Sequence, residues 1–98
     1  MAASLCLATR ASAGEICRAE YGKPVAQDPG ALASAYALIA SGDRAGLAAL
    51  VDGGKVLFLN HGIELEVMER LPSGAIRVRP TRSTASVFVR EEALRCEP

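Results

Sequence analysis

Alternating apolar and polar residues mark the second half of the chain. Residues 63–70 read IELEVMER, with apolar side chains at every second position as far as Val67. This two-residue period predicts a strand with one buried and one charged face. Turn-forming residues follow at Pro72, Ser73 and Gly74, since proline fixes its own φ and glycine tolerates a positive φ. The pattern therefore predicts a β-hairpin whose turn these three residues form.

The hydrophobic pattern also predicts the register of this hairpin. Val67 is expected to face Val78 on the buried side, because a slip by one residue would carry Arg79 into the core. Opposite charges that face each other across two strands stabilise the sheet by about 0.2 to 1 kcal/mol per pair. The pairs expected on the outer face are Glu66 with Arg79 and Met68 with Arg77.

Further short strands are predicted on either side of the hairpin. Residues 55–59 (KVLFL) and 86–90 (SVFVR) are rich in β-branched and aromatic side chains. Within the second segment, alternation places Phe88 on the face opposite the valines on either side of it. Both segments therefore extend the sheet that the hairpin begins.

The connections between these strands are short. Pro80 fits only the end or the edge of a strand, because it has no N–H to donate to a neighbour. Residues 81–85 (TRSTA) form the next loop. Three or four short strands within about forty residues can close into a barrel, which leaves no unpaired strand edge. The pattern predicts a small antiparallel β-barrel over residues 55–94.

Two helices are predicted ahead of this barrel, over residues 29–40 and 44–51. Asp28 and Asp43 are suited to cap their first turns, and Pro29 is suited to the first helical position. The apolar residues at helical spacing are Leu32, Tyr36 and Ile39 in the first helix and Leu47, Leu50 and Val51 in the second. We expect the pair to pack on one end or side of the barrel.

Length and charge limit the remaining possibilities. The chain has 98 residues and a formal net charge of zero, which gives no overall field to attract nucleic acid or an anionic membrane. A chain of this size buries about 60 to 65% of its unfolded surface in one domain. No apolar run reaches the length of a membrane span. We expect one α+β domain over residues 14–98.

Residues 1–13 differ from the rest in composition. They are rich in alanine, and Ala11, Ser12 and Ala13 have the small-x-small form of a signal-peptide cleavage site. No basic residue precedes the apolar patch, and Arg10 follows it. Two alternatives stay open, an export signal and a frayed or helical N-terminus, and with them a periplasmic or a cytoplasmic location.

Three cysteines bear on the same choice: Cys6, Cys17 and Cys96. Cleavage after residue 13 would leave an even pair near the two ends of the domain, where chain termini are often close together. A Cys17–Cys96 disulfide is then expected in an oxidising compartment. The alternative is a pair of buried thiols, since free cysteine packs as a small apolar residue.

Part of the predicted barrel resembles a known family. Residues 59–69 (LNHGIELEVME) combine a glycine, hydrophobic alternation and a closing acidic residue, and Val87-Phe88-Val89 is followed by Leu94. With these motifs the segment resembles the bacterial SH3-like barrels of the SH3b kind, over less than half of the chain. Val87 and Phe88 stand where the family often has glycine and tryptophan.

The resemblance implies a non-enzymatic module that contacts a peptide, a protein or a cell-envelope partner through one barrel rim. The residues it implies for this contact are Phe88, His61 and, in the loop 81–85, Arg82. The aromatic groove that binds proline-rich peptides in eukaryotic members has no counterpart, because the chain has only two tyrosines and two phenylalanines. A proline-rich ligand is therefore not expected.

The motifs of catalysis and metal binding are missing from the sequence. His61 is the only histidine, and no spacing brings it to a cysteine and an acid. Gly54-Lys55 lacks the earlier glycine and the hydroxyl residue of a phosphate-binding loop. No pair of cysteines or histidines has zinc-site spacing. We expect no catalytic residue, no cofactor and no metal site.

One charge asymmetry points to an alternative function. Residues 70–90 contain five arginines and no acidic residue, and arginine is suited to bidentate contact with phosphate or carboxylate. A neutralised outer face is expected if acidic residues of the preceding strand pair with them. The alternative is a nucleic-acid or anion binder, with Phe88 stacking on a base. Its binding residues would be Arg77, Arg79, Arg82 and Arg90.

Overall fold

The computed structural model describes residues 14–20, 22–58 and 62–96. In this part of the chain, two helices accompany an antiparallel sheet of seven strands, so the fold is of the predicted α+β class. None of its helices is long and apolar enough to cross a membrane. In chain order the elements are β1 Ile16–Ala19, β2 Pro24–Ala26, α1 Pro29–Ser41, α2 Arg44–Asp52, β3 Val56–Phe58, β4 Glu64–Arg70, β5 Ile76–Pro80, β6 Val87–Val89, a 3-10 turn Glu91–Ala93, and β7 Leu94–Arg95.

The order of the strands in the sheet is β3-β2-β6-β5-β4-β1-β7. The edge strands β3 and β7 are not paired with each other in the described part, so closure of the predicted barrel is not shown. The sequence pattern missed β2 because all three of its residues are buried, and a strand buried on both faces has no alternation. This strand and β3 extend the sheet by two strands beyond β6.

The β4–β5 hairpin has the predicted register at two of its three positions. Val67 faces Val78, and Glu66 faces Arg79. The prediction that Met68 faces Arg77 is wrong, because the register shifts between Val67 and Glu69 and brings Glu69 opposite that arginine. A bulge inserts one unpaired residue into one strand of a pair. Its consequence here is an ion pair across the strands in place of a methionine contact.

Helix α1 begins at Pro29 and ends at Ser41, one residue beyond the predicted end. The Asp28 carboxylate accepts a hydrogen bond from the Ala31 N–H at 2.8 Å, which satisfies a donor left free in the first turn. The predicted apolar face is only partly correct. Ile39 is 45% exposed, and the residues that bury α1 are Ala31, Leu32 and Ala35. The small side chains let the helix lie close to the sheet.

Helix α2 lies at the surface. The N–H of Gly46 donates to the Asp43 carboxylate at 2.9 Å, so this helix is capped in the same way as α1. None of its residues is fully buried. Leu47 and Leu50 are half-buried against the cluster below α1. Its main tertiary contacts are with α1 and β3.

The buried side chains form two clusters, one on each face of β6. Val89 belongs to the larger cluster, together with Leu65, Val67, Ile76 and Val78 from β4 and β5. Phe88 packs instead against the smaller cluster, which α1 covers. The predicted alternation around Phe88 is therefore confirmed. The face of Phe88 is occupied by the helix.

Candidate binding cleft

A cleft of about 510 Å³ lies between the start of β4 and the loop that follows β5. Its volume falls within the ~300–1,000 Å³ of typical ligand sites. The loop is part of the segment 81–85 that the sequence placed at a contact rim. The side chains that line the cleft are Ile63, Glu64, Pro80, Thr81, Arg82 and Ser83.

Backbone hydrogen bonds fix the shape of this loop. The Ser83 N–H donates to the Pro80 carbonyl at 2.9 Å, which closes a four-residue turn. The Thr81 N–H donates to the Glu64 carbonyl at 3.2 Å and holds the turn against β4. The Ala85 N–H donates to the Ser83 hydroxyl oxygen at 3.0 Å. The cleft therefore has a wall that its own backbone holds in place.

Arg79 braces the same wall from behind. Its guanidinium donates to the Ser83 carbonyl at 2.8 Å and also forms a short ion pair with the Glu66 carboxylate across the β4–β5 ladder. Both side chains are about one-third exposed. Arg79 thus links the loop to β4, and we assign it a role in holding the cleft wall in place and not in binding a ligand.

Arg82 is the cation at the cleft itself. It is exposed, and among residues 14–20, 22–58 and 62–96 it has no ion-pair partner. The acid beside it, Glu64, is engaged by Arg18 at 3.5 Å and by the Thr81 hydroxyl at 3.4 Å. The cleft therefore combines one unpaired guanidinium with a carboxylate that already has two partners.

Of the three residues implied for partner contact, Arg82 and Phe88 lie within the described structure, and the cleft does not bring these two together. Arg82 lines the cleft. Phe88 is half-buried in the cluster below α1 and is not among the lining side chains. His61 lies outside the described residues. Of the contact residues that the sequence predicted, only Arg82 and its loop line the cleft in the described structure.

The alternative set of four arginines is divided among different environments. Arg77 pairs with Glu69 at 3.3 Å, and Arg79 pairs with Glu66. The Arg90 guanidinium lies 4.0 Å from the centroid of the Tyr36 ring, a cation–π contact. Only Arg82 of the four is without a partner in the described part of the chain. The outer face is neutralised by cross-strand ion pairs.

Tyr36 has an unusual polar environment beneath Arg90. Its hydroxyl is buried and has no hydrogen-bond partner within the described structure. Burial raises the pKa of Tyr36 above its usual value, the negative charge of Glu92 raises it further, and Arg90 acts in the opposite direction. The neutral hydroxyl is therefore the form favoured by folding.

Cys17 and Cys96 form a disulfide, with an S–S distance of 2.02 Å and 4.3 Å between their Cα atoms. It joins β1 to the residue after β7, next to the pair Arg18 and Arg95 of the ladder. Glu15 lies with these sulfurs in a group whose candidate ligand atoms are within 4.8 Å of one another. Metal binding by cysteine needs a thiolate, which the disulfide does not provide.

Several residues of the cleft were missed by sequence reasoning. Ile63 and Glu64 were assigned only to a strand, and Pro80 only to its end. The available signal was the proline at the strand end followed by four polar residues, which is typical of a turn. Their meeting also depends on the bond from Arg79 to the Ser83 carbonyl and on the bond from the Thr81 N–H to the Glu64 carbonyl, which no local pattern predicts.

Comparison with protein-family models, with curated proteins and with solved structures gives no significant match to this chain.

Proposed function

We propose that five of the strands form an SH3-like barrel. These strands are consecutive in the sheet, in the order β6-β5-β4-β1-β7. The two ends of this run are joined by only four residues, 90–93, of which three form a 3-10 turn. Such a turn rises about 2 Å per residue, whereas four strand spacings cover about 19 Å in a flat sheet. The short connection supports a strongly curled run.

The packing of the same strands supports this fold. Val89 of β6 and Ala93, next to β7, share one buried cluster with Cys17 of β1. A flat sheet would hold its two end strands apart, whereas a curled sheet brings their side chains to one core. This barrel differs from the predicted range 55–94, because it includes β1 and leaves out β3; β2, β3 and both helices are then an addition to it.

We propose that the protein is a non-enzymatic binding module that contacts a peptide or protein segment through the cleft. The observation that carries this proposal is the cleft beside a loop held by backbone bonds and by Arg79. A preformed wall lowers the ordering cost of binding. Apolar surface from Ile63 and Pro80 and polar groups from the turn are the components of a recognition site.

The test begins with peptides selected from a random phage-displayed library on the oxidised, folded protein. Thr81→Trp would fill the cleft from its exposed wall, and the matched control Ser34→Trp would place the same bulk on an exposed position of α1. We expect Thr81→Trp to weaken binding of the selected peptides at least tenfold and Ser34→Trp to leave it unchanged. Equal affinity for both variants would contradict binding in the cleft.

A further inference from the structure

We infer that the cleft selects segments in which a carboxylate lies beside an aliphatic side chain, with Arg82 holding the carboxylate; this inference rests on the proposed function. Arg82 is carried by the turn that the Ser83-to-Pro80 hydrogen bond closes at 2.9 Å. A guanidinium forms two parallel hydrogen bonds with a carboxylate. The turn already fixes the Arg82 backbone, so binding has to order only the side chain.

A second donor lies beside Arg82. The Ser83 hydroxyl oxygen accepts the Ala85 N–H at 3.0 Å, and a hydroxyl that accepts one bond still has its own proton to donate. The described residues give that proton no acceptor. A carboxylate is acceptor-only when ionised, so it matches a hydroxyl and a guanidinium at the same time.

The rest of the cleft limits which acidic segments fit. Ile63 and Pro80 are half-buried and offer apolar surface to an aliphatic side chain. Glu64 holds a negative charge within the same cleft, with Arg18 and Thr81 as partners. In a segment with several acids, a second carboxylate would be repelled by Glu64. A segment with one acid next to an aliphatic residue has no second carboxylate to be repelled. The preference is therefore for a mixed segment.

The same geometry favours a carboxylate over a nucleic acid. Binding a phosphate backbone uses several cations along the strand and aromatic surfaces for the bases. Arg77 and Arg79 are paired with acids, and Arg90 lies over Tyr36. None of the lining side chains is aromatic. One free guanidinium is enough for one carboxylate.

The experiment uses a selected peptide made in three forms, with its conserved acid as Glu, Gln or Lys. Affinity is measured by fluorescence anisotropy against the wild type, Arg82→Ala and Arg82→Glu, with circular dichroism as the check on folding. We expect about a tenfold loss from the Gln form and from Arg82→Ala, the size of one lost charge-assisted contact. Arg82→Glu should reverse the preference and bind the Lys form best. Arg44→Ala is the control, because Arg44 is an exposed arginine on α2.

Other results would overturn the inference in distinguishable ways. One such result is that Thr81→Trp weakens peptide binding, whereas Arg82→Ala and the change of the acid have no effect. It would overturn the carboxylate inference and leave the cleft proposal standing. A library without any enriched peptide would overturn both. Arg82-dependent binding of a fifteen-residue oligothymidylate that competes with the peptide would replace the carboxylate by a phosphate ligand.

Discussion

At the scale of single residues, Tyr36 shows how a buried polar atom influences stability. Its hydroxyl has no hydrogen-bond partner in the described structure, although its ring is covered by the Arg90 guanidinium. A buried hydroxyl without a partner costs free energy, because it has given up its bonds with water. The ring therefore contributes packing, and the hydroxyl reduces that benefit.

We predict that Tyr36→Phe leaves the free energy of unfolding unchanged or raises it by up to about 1 kcal/mol at pH 7. The two proteins should diverge in alkali. The pKa of Tyr36 is raised in the folded state, so above the unfolded pKa of about 10 ionisation of this residue favours the unfolded chain. The free energy of unfolding of the wild type should therefore fall relative to that of Tyr36→Phe as the pH rises above about 10. Urea denaturation of both proteins from pH 7 to 11 measures this difference. Equal losses of unfolding free energy in both proteins above pH 10 would contradict the prediction.

At the scale of secondary structure, the two helices are capped alike but contribute differently to the core. Asp28 caps α1, which buries Ala31, Leu32 and Ala35. Asp43 caps α2, which has no fully buried residue. The loss of a cap weakens a helix by about 0.5 to 2 kcal/mol. This weakening affects global unfolding only as far as the helix is coupled to the core.

We therefore predict that Asp28→Ala lowers the free energy of unfolding by about 1 kcal/mol and that Asp43→Ala lowers it by less. Urea denaturation gives the global change, and hydrogen exchange reports local opening of each helix. In Asp43→Ala, faster exchange should be confined to α2. The same global loss in both variants would show that α2 is as tightly coupled to the core as α1.

The elements also show where sequence patterns succeed and where they end. Both helices begin at the predicted residues because their caps are local, and the Val67–Val78 pairing follows from the alternation. The bulge beside Met68 was missed, since a register shift depends on both strands. The cleft could not be predicted as a whole, although residues 81–85 were predicted as a loop, because the bonds from Arg79 to Ser83 and from Thr81 to Glu64 join residues that no local pattern relates. Phe88 was assigned to a rim, whereas it packs against the cluster that α1 covers, because alternation predicts the face of a side chain and not what covers that face.

At the scale of the whole molecule, the Cys17–Cys96 disulfide ties the two ends of the described fold together. It links residues 79 positions apart, and β7, which it secures, has only two residues. Restricting so long a loop in the unfolded chain contributes about 4 kcal/mol by loop-closure entropy. The short edge strand depends on this link and on the packing of Ala93.

We predict that reduction by a dithiol lowers the free energy of unfolding by about 4 kcal/mol. The measurement is urea denaturation with and without reductant. The double variant Cys17→Ala plus Cys96→Ala is the control, because its stability should be low and unaffected by the dithiol. A loss below about 1 kcal/mol on reduction would mean that the sheet alone holds the two ends together.

At the same scale, the main alternative to peptide binding in the cleft is binding to a set of exposed apolar side chains elsewhere. These include Ile39, Val51, Leu57 and Phe58, on α1, α2 and β3. Amide chemical-shift mapping of the labelled protein with a selected peptide distinguishes the two surfaces most directly. We expect the largest shifts at residues 63–64 and 81–83. Shifts centred on residues 57–58 and on α2, with the cleft amides unchanged, would contradict peptide binding in the cleft.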